Sequence, residues 1–441
     1  MITFHEARSI ILSGVNPLGT ENCPLADLLG RVLAQDIVSS FDIPPKDNSA
    51  MDGFAVRAED IVGATQGKPI VLQVIEDVPA GKVATKSLGK GRAIRIMTGA
   101  QIPAGADAVV PVELTTQMGN GKSGIGIAHT VTKGEHVRKQ GEDVKAGTVL
   151  ISKGARLRPQ EVGLVASLGM AVALVAKRPV VGIISSGNEI VAPGKPLAAG
   201  QIYDANRYGV AAQAAQVNAV IRDYGIVEDK LDTIITALNT AAQECDLVLT
   251  SGGVSVGDYD LMKQALSKLG LMNFWQVAQK PGKPLAFGHI KGTPVVGLPG
   301  NPVSSMVIFD QYVRPMLLAM QGAKEIFRKP ITAFCDQAIT KPAGRREFQR
   351  AKVEWREGAY HAVLTGAQGS GILTSMAQAD GLMILEEDRT EVKPGDRVSV
   401  EFFDNWCCHS VICHSRPASA CGVNSRGNPG IDARRNLSRV Y

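Results

Sequence analysis

The sequence predicts an α/β multidomain protein with four structural units, and three observations lead to this fold class. The chain has 441 residues, more than a single hydrophobic core normally organises. Residues 179–322 alternate β-branched apolar runs with helical patterns. Residues 40–144 and the region after Phe327 instead contain short apolar runs separated by glycine, proline and asparagine, which is typical of small β domains.

The amino-terminal third predicts two units, one inserted into the other. Helical patterns at His5–Leu12 and Arg158–Leu168 flank the β-rich stretch and are expected to pack together. We therefore predict a discontinuous helical or linking domain formed by residues 1–39 and 145–177, interrupted by a β-rich inserted domain at 40–144.

The central third predicts a parallel sheet with helices on both faces, because strands alternate with helices. The expected strands are Pro179–Ser185, Asn218–Arg222, Asp246–Thr250 and Pro294–Leu298. The expected helices are Asn206–Gln216, Asp229–Gln243, Tyr259–Leu269 and Pro302–Met320. This α/β domain covers residues 178–324. The pattern in residues 325–405 indicates a compact β-barrel or sandwich, and we expect the barrel. We expect residues 406–441 to form an atypical, disordered tail.

Composition excludes several classes of protein. Hydrophobic residues make up 45% and charged residues 20%, and no run approaches the roughly 18 apolar residues of a membrane span. The tail, with five arginines and one aspartate, supplies +4 of the net charge of +5, so the body lacks the basic balance of a nucleic-acid enzyme. We expect neither a membrane nor a nucleic acid as partner.

The expected compartment is the cytoplasm. Cys23, Cys245 and Cys335 are scattered, which suits a reducing compartment better than a disulfide framework. The first residues form a helical pattern and lack an export signal.

Two glycine-rich loops are candidate anion sites. The first, Thr250–Asp260, follows a buried strand and opens a helix, so its small residues allow backbone N–H groups to approach a phosphate. Its candidate binding residues are Ser251, Gly252, Gly253, Ser255 and Gly257. The alternative is a tight turn in which Asp258 or Asp260 caps the helix.

The second loop, GLPGNP, contributes the candidates Pro299, Gly300, Asn301 and Pro302. Helix initiation is the alternative, with Asn301 as the cap and Pro302 in the first turn. Both loops, and Glu189 in the loop SSGNE, follow strands of the predicted sheet. Ligands bind at the carboxyl ends of such strands, so we expect the three loops to meet there.

Two further segments are less specific. Lys280 and Lys283 lie in the turn QKPGKP between prolines, where they are either solvated or positioned to capture phosphate. Asp52 lies in DNSAMDG, whose residues are also ordinary turn formers.

The order of these segments resembles one family. The motifs that carry the resemblance are DNSAMDGFAV, RIMTGAQIPAGADAVV, RKQGEDVKAG, SSGNE, GQIYDANR, TSGGVSVGDYD, KPGKPLAFG, GLPGNPVS, EFQR and QGS. They are similar to those of the MoeA family and of the related E domain of gephyrin, over residues 1 to about 405. The resemblance implies a MogA-like pterin-binding domain at 178–324 and a homodimer whose active site lies between this domain and elements of the other subunit.

The resemblance also implies an activity: a molybdopterin molybdenumtransferase, which inserts molybdate into adenylylated molybdopterin and releases AMP. By matching motif positions it implies the functional residues Asp52, Thr98, Glu189, Asp229, Asp260, Lys280, Pro299, Pro302, Arg350 and Ser370. Lys280, Lys283 and Arg350 are expected to bind phosphate or oxyanion, with Ser370 completing the cradle.

Carboxylates at such a site suggest a metal. Glu189, Asp229 and Asp260 are oxygen ligands of the kind that Mg²⁺ prefers. Asp229 also precedes a helix, and capping of that helix is its alternative role. The expected protein partners are a MogA-like adenylyltransferase and molybdoenzyme maturation factors, with which the enzyme would exchange its substrate and product.

Three departures from the family pattern bear on the prediction. Asn188 stands where members often carry Asp, and Gln276 where some carry Lys. The tail after residue 405 contains Cys407, Cys408, Cys413 and Cys421, which either bind Zn²⁺ or belong to an aberrant extension. Rival functions are a molybdopterin adenylyltransferase and a non-catalytic, gephyrin-like scaffold.

Overall fold

The computed structural model describes residues 1–118, 124–252 and 261–403, and the chain divides into two compact units. Unit 1 comprises Met1–Pro17, Arg178–Met320 and the chain from Glu325 onward. Unit 2 comprises Leu18–Lys177 and Gln321–Lys324. The first helix, α1, is Phe4–Ser13 and belongs to unit 1.

Unit 2 is built mainly of short strands. In chain order its elements are β1 (Thr20–Pro24), β2 (Ile37–Val38), β3 (Asn48–Ser49), β4 (Gly53–Val56), β5 (Ile70–Val78), β6 (Arg92–Ile96), β7 (Ala108–Pro111), β8 (Thr115–Gln117), β9 (Gly124–Ile127), β10 (Val137–Arg138), β11 (Val149–Ile151), α2 (Pro159–Ser167) and β12 (Val172–Ala176). Single 3₁₀ turns occur at Leu25–Asp27, Ala58–Ile61 and Val112–Leu114.

Two cores can be distinguished in unit 2. In the first, β1 pairs with β12 and β2 with β11, and one buried cluster joins Leu33 and Ile37 to Val165 and Val175. In the second, a six-stranded sheet has the order β7-β4-β6-β5-β9-β8 and buries apolar side chains on both faces. The β-rich insertion thus has a core of its own.

Helix α1 belongs to unit 1, whereas our expectation grouped it with α2, which belongs to unit 2. A capping box between Thr3 and Glu6 begins the helix. Its buried Phe4 contacts Tyr312 and Phe348, with ring centroids 5.4 Å and 5.3 Å away. The apolar face of α1 is therefore covered by residues far along the chain.

The α/β domain of unit 1 follows. Its elements are β13 (Val180–Ser186), β14 (Ile190–Val191), β15 (Ile202–Tyr203), α3 (Asn206–Gln216), β16 (Val220–Val227), α4 (Leu231–Glu244), β17 (Leu247–Ser251), α5 (Leu261–Leu269), β18 (Leu271–Gln276), β19 (Gln279–Lys280), β20 (Pro284–Ile290), β21 (Thr293–Leu298), α6 (Pro302–Ile308) and α7 (Arg314–Met320). A π-helical segment, Phe309–Val313, joins α6 to α7.

The predicted parallel sheet is confirmed, with one addition. The sheet has the order β16-β13-β17-β21-β20-β18, and its first four strands run parallel. Strands β20 and β18 are antiparallel and extend one edge, which the sequence did not predict. Every residue of β17 is buried, as expected of a central strand with both faces covered.

The carboxyl-terminal domain is a closed barrel, which confirms the prediction. Its elements are β22 (Ile331–Cys335), β23 (Ile339–Thr340), β24 (Arg346–Arg356), β25 (Ala359–Leu364), α8 (Leu373–Ala377), β26 (Gly381–Leu385), β27 (Glu391–Val392) and β28 (Arg397–Phe402). Strands pair around the ring β24-β25-β22-β28-β26, and β26 returns to β24. Within the described ranges, no helix has both the length and the apolar character needed to cross a membrane.

Candidate functional site

Three loops leave the parallel sheet side by side. Ser185 at the end of β13 lies opposite Ser251 at the end of β17, and Ser251 lies opposite Leu298 at the end of β21. The loops SSGNE, TSGG and GLPGNP therefore begin in one row at the carboxyl edge. The predicted start of these loops at one edge of the sheet is confirmed.

Gly252 is the first turn residue after β17, and its conformation requires glycine. Its φ is +88°, and a Cβ atom there would lie 2.7 Å from the carbonyl oxygen of Ser186. Its N–H donates to the carbonyl of Leu298 at 3.2 Å. The turn thus packs backbone directly against the ends of both neighbouring strands.

Asn206, which sequence reasoning did not single out, connects two of the loops. Its Nδ2 donates to Ser251 Oγ at 2.9 Å and to the carbonyl of Gly300 at 2.8 Å. The only sequence signal for this residue was its place in the motif GQIYDANR, which does not indicate the residues that Asn206 bonds to.

The GLPGNP loop starts α6, with Asn301 at the N-cap and Pro302 in the first turn, as the helix-initiation alternative predicted. The Asn301 side chain makes no capping hydrogen bond. The N–H of Val303 in the first turn instead donates to the backbone carbonyl of Ser370 at 3.1 Å. Ser305 Oγ donates to the carbonyl of Pro299 at 2.5 Å. The loop is therefore tied both to its own helix and to the segment that contains Ser370.

Arg350 holds that segment from the barrel side. Its side chain is 1% exposed, and it donates to the carbonyl of Gly369 at 3.0 Å and to Ser375 Oγ at 3.1 Å. The Gln368 amide bonds both the N–H and the carbonyl of Arg350. Burial lowers the pKa of the Arg350 guanidinium. We expected Arg350 to contact a ligand directly, which would require it to leave these partners.

Lys280 and Lys283 both present their side chains to solvent, and Lys280 also has an acidic partner. Its Nζ lies 3.4 Å from Glu347 Oε1, and Lys280 is 48% exposed whereas Glu347 is 2% exposed. Between the two lysines, Gly282 has a φ of +89° and would clash with Gln279 if it carried a Cβ. The turn QKPGKP therefore has a closely packed backbone at Gly282, whereas the ammonium groups of Lys280 and Lys283 are accessible.

Glu189 and Asp229 follow neighbouring strands. Glu189 is exposed after β13, and Asp229 is half-buried after β16. Helix α4 has Lys230 at its N-cap and no side-chain cap bond, so the capping role of Asp229 is wrong. Among the residues that the structure describes, no group of three or more His, Cys, Asp or Glu could hold a metal ion.

Part of the first loop lies outside the described residues. Gly253, Ser255, Gly257, Asp258 and Asp260 belong to this stretch, 253–260. Their predicted roles as phosphate, cap or metal residues stay predictions.

Asp52 and Thr98 lie together in unit 2. Asp52 Oδ1 accepts one bond from the N–H of Thr98 and one from its hydroxyl, each 2.7 Å long. These bonds lower the pKa of the Asp52 carboxyl, the N–H contributing more than the hydroxyl. The two motifs that the sequence placed 46 residues apart thus form one exposed, hydrogen-bonded pair.

Comparison with known proteins assigns the family. Residues 2–169 match a model described as "MoeA N-terminal region (domain I and II)", residues 182–319 one described as "Probable molybdopterin binding domain", and residues 332–403 one described as "MoeA C-terminal region (domain IV)". The chain belongs to the MoeA family.

Curated MoeA-family relatives match nearly their full length. The molybdopterin molybdenumtransferase 2 of Mycobacterium tuberculosis is 39% identical, over 91% of this chain and 99% of the relative. The molybdopterin molybdenumtransferase of Haemophilus influenzae is 38% identical, over 92% and 99%. A solved structure, the molybdopterin biosynthesis MoeA protein from Pyrococcus horikoshii, superposes with a TM-score of 0.77 at 33% identity, over 91% of this chain and 100% of that one.

The matches to the MoeA family models end where the described barrel ends. The carboxyl-terminal match closes at residue 403. The Cys-rich tail, and with it the Zn²⁺ alternative for Cys407, Cys408, Cys413 and Cys421, lies outside the described residues.

Proposed function

We propose that the chain is a molybdopterin molybdenumtransferase, which inserts molybdate into adenylylated molybdopterin and releases AMP. One observation carries the proposal: the loops after β13, β17 and β21 begin in one row at the carboxyl edge of the parallel sheet. The names of the curated relatives support the same activity.

The loops suit a polyanionic substrate. The phosphoanhydride of the adenylylated pterin and the molybdate dianion both need oriented N–H donors and cations. The loop at Gly300–Asn301 supplies backbone N–H groups, and Lys280 and Lys283 supply accessible ammonium groups. The Gly252 N–H is held by the Leu298 carbonyl, so Gly252 contributes by the tight turn that it allows. In this proposal Arg350 acts through the loop that it holds, and Ser370 is the polar side chain of that loop.

Mg²⁺ is proposed as the cofactor, held by Glu189, Asp229 and Asp260. The two carboxylates that the structure describes follow the adjacent parallel strands β13 and β16 and so share the edge of the anion-binding loops. Carboxylate oxygen is the ligand type that Mg²⁺ prefers, so the donor set fits. When bound, the ion would neutralise phosphate charge during release of AMP.

The remaining parts of the proposal concern the assembly. The family resemblance supports a homodimer whose active site includes elements of the other subunit, among them the DNSAMDG motif that contains Asp52. We further propose that the reaction takes place in the cytoplasm, that a MogA-like adenylyltransferase delivers the substrate, and that molybdoenzyme maturation factors take the product.

The test is incubation of the purified chain with adenylylated molybdopterin, Mg²⁺ and molybdate, followed by quantification of AMP and of molybdenum-loaded cofactor. The proposal requires both products to appear together and to depend on molybdate. Consumption of ATP with molybdopterin would indicate the adenylyltransferase instead. Failure to bind the pterin, together with binding of a protein partner, would indicate the scaffold.

A further inference from the structure

The Asn206 side chain spans the gap between two strand-to-helix units. Its amide donates to Ser251 Oγ at 2.9 Å, to the Gly300 carbonyl at 2.8 Å, and lies 3.5 Å from the Pro299 carbonyl. Ser251 ends β17, whereas Pro299 and Gly300 follow β21. The two loops are far apart in the chain, so a side-chain bond between them helps to set their separation.

Asn206 is itself firmly held at the start of α3. The adjacent Arg207 is 7% exposed and donates to Asp204 Oδ2 at 2.9 Å and to Asp223 Oδ2 at 2.5 Å. Asp204 Oδ1 also accepts the N–H of Arg207 at 3.1 Å. Because the buried Arg207–Asp204 ion pair fixes this turn, the Asn206 amide is oriented before any ligand binds.

The bonds to the GLPGNP loop also set the direction of its N–H groups. The Pro299 carbonyl accepts from Ser305 Oγ, and the Gly300 carbonyl accepts from Asn206. The described chain has cis peptides only before Pro44 and Pro281, so both loop peptides are trans. In a trans peptide the carbonyl and the following N–H point in opposite directions. The N–H of Gly300 therefore points away from Ser305, and that of Asn301 away from Asn206.

We propose that Asn206 is a positioning residue of the enzyme. It sets the separation of the loops after β17 and β21 and aims the N–H groups of Gly300 and Asn301 at a phosphate of the substrate. The inference rests on the proposed function, because it takes the bound anion to be the phosphoanhydride of the adenylylated pterin. Asn206 acts through the loops and does not contact the reacting atoms.

The test compares three variants by their kcat and KM for adenylylated molybdopterin between pH 5.5 and 8.5, with AMP release as the assay. Asn206→Asp keeps the shape but, when ionised, replaces the donor by a carboxylate that faces the Gly300 carbonyl. Ser251→Ala removes the bond to Ser251 Oγ and leaves those to the Gly300 and Pro299 carbonyls. The control, Gln213→Met, removes a 3.2 Å amide bond from the same helix to the Met306 carbonyl in α6.

At pH 8 we expect KM to rise about tenfold in Asn206→Asp, because a donor is lost and a carbonyl is left facing a negative charge. The carboxyl that this substitution introduces has an ordinary pKa of about 3.9, so it stays ionised over most or all of this pH range. If the facing Gly300 carbonyl raises that pKa, KM returns toward the wild-type value at the acid end, because the protonated carboxyl can donate to the Gly300 carbonyl. Ser251→Ala should raise KM about threefold at all pH values, since the bonds of Asn206 to the GLPGNP loop remain. Gln213→Met should leave KM unchanged.

Three outcomes overturn the inference: a wild-type KM at pH 8 in Asn206→Asp, an unchanged KM in Ser251→Ala, or an equal rise in Gln213→Met. If Asn206→Asp does not fold, as judged by circular dichroism, Asn206→Ala takes its place, because it removes the amide and leaves the candidate binding residue Ser251 unchanged. Absence of AMP release by the wild-type chain would contradict the proposed function instead. In that case calorimetric titration with inorganic pyrophosphate compares the same variants, and equal affinities at pH 8 overturn the positioning role.

Discussion

Thr98 donates both its backbone N–H and its hydroxyl to the same oxygen of Asp52, each at 2.7 Å. The two residues come from separate motifs, just before β4 and just after β6, which are neighbouring antiparallel strands. Both bonds favour the ionised carboxylate and lower the pKa of Asp52, so this side chain stays negatively charged at neutral pH. An exposed carboxylate with a fixed orientation suits a role in binding a metal or a polar substrate.

The first prediction concerns this pair. Thr98→Val removes the hydroxyl and keeps the N–H, so the pKa of Asp52 should rise part of the way toward its ordinary value. Titration of the Asp52 carboxyl by ¹³C NMR measures this change. Thr132→Val is the matched control, because Thr132 donates its N–H and hydroxyl to Glu135 Oε2 in the same manner. An Asp52 pKa that does not move in Thr98→Val, or that moves equally in the control, would contradict the pairing.

The second prediction separates a backbone clash from backbone strain. Gly252→Ala puts alanine in a left-handed backbone conformation, which costs about 1–2 kcal/mol. It also brings a Cβ atom to 2.7 Å from the carbonyl oxygen of Ser186. Gly292→Ala has nearly the same φ, +89°, but no atom within 4 Å of the new Cβ. Urea unfolding should therefore show a larger loss of stability in Gly252→Ala than in Gly292→Ala, and substrate binding should be weakened only in Gly252→Ala. Equal losses would mean that the turn after β17 is not closely packed.

Much of the α/β domain could be predicted from the sequence, because its signals are local. Helix α3 has the bounds that we predicted, Asn206–Gln216, and the four parallel strands lie within a few residues of their apolar runs. The positions of the loops follow from topology, since parallel strands share one carboxyl edge.

The rest could not be predicted, because it depends on contacts between distant segments. The apolar face of α1 identified the residues to be buried, but not that Phe348 in the barrel would cover Phe4. Strands β18 and β20 carry no local sign of their direction. The bonds of Asn206 and the burial of Arg350 follow from neighbours that lie between 18 and 94 residues away.

The third prediction tests the accessible cations. Lys280→Gln removes an ammonium group that Glu347 holds at the carboxyl edge, and we expect the KM for adenylylated molybdopterin to rise by about tenfold. Lys291→Gln is the control, since Lys291 is an exposed lysine in the β20–β21 hairpin, beside the amino end of β21. Steady-state kinetics at several salt concentrations distinguish a phosphate contact from a general charge effect. The phosphate role would be lost if both variants had the same KM.

The fourth prediction tests the metal. Asp229→Asn removes one negative charge while keeping an oxygen donor, so the Mg²⁺ concentration for half-maximal AMP release should rise about tenfold. Asp232→Asn, in the first turn of α4 and exposed, is the control. Mg²⁺ titration of the initial rate measures both. If Asp229→Asn required no more Mg²⁺ than Asp232→Asn, Asp229 would not be a ligand.

The fifth prediction concerns Glu401, a buried carboxyl at the end of the barrel. Burial raises its pKa, and nearby Asp310 adds to the effect, whereas the hydrogen bond from Gln311 and the charges of Arg8 and Arg328 oppose it. A carboxyl whose pKa is raised by folding stabilises the protein most below its unfolded pKa, and this stability is lost as the pH rises through the folded pKa. Glu401→Gln has no proton to lose and can still accept the bond from Gln311.

Glu401→Gln should therefore gain stability over the wild type as the pH rises from 5 to 8. Each unit by which folding raises the pKa corresponds to about 1.4 kcal/mol of free energy of unfolding. The measurement is urea unfolding of both proteins at the two pH values. Glu354→Gln, at an exposed position of β24, should show no such pH-dependent difference. The contrary result is a stability difference between Glu401→Gln and the wild type that does not grow from pH 5 to pH 8. The Arg8 and Arg328 charges would then outweigh burial, and Glu401 would be a stabilising anion.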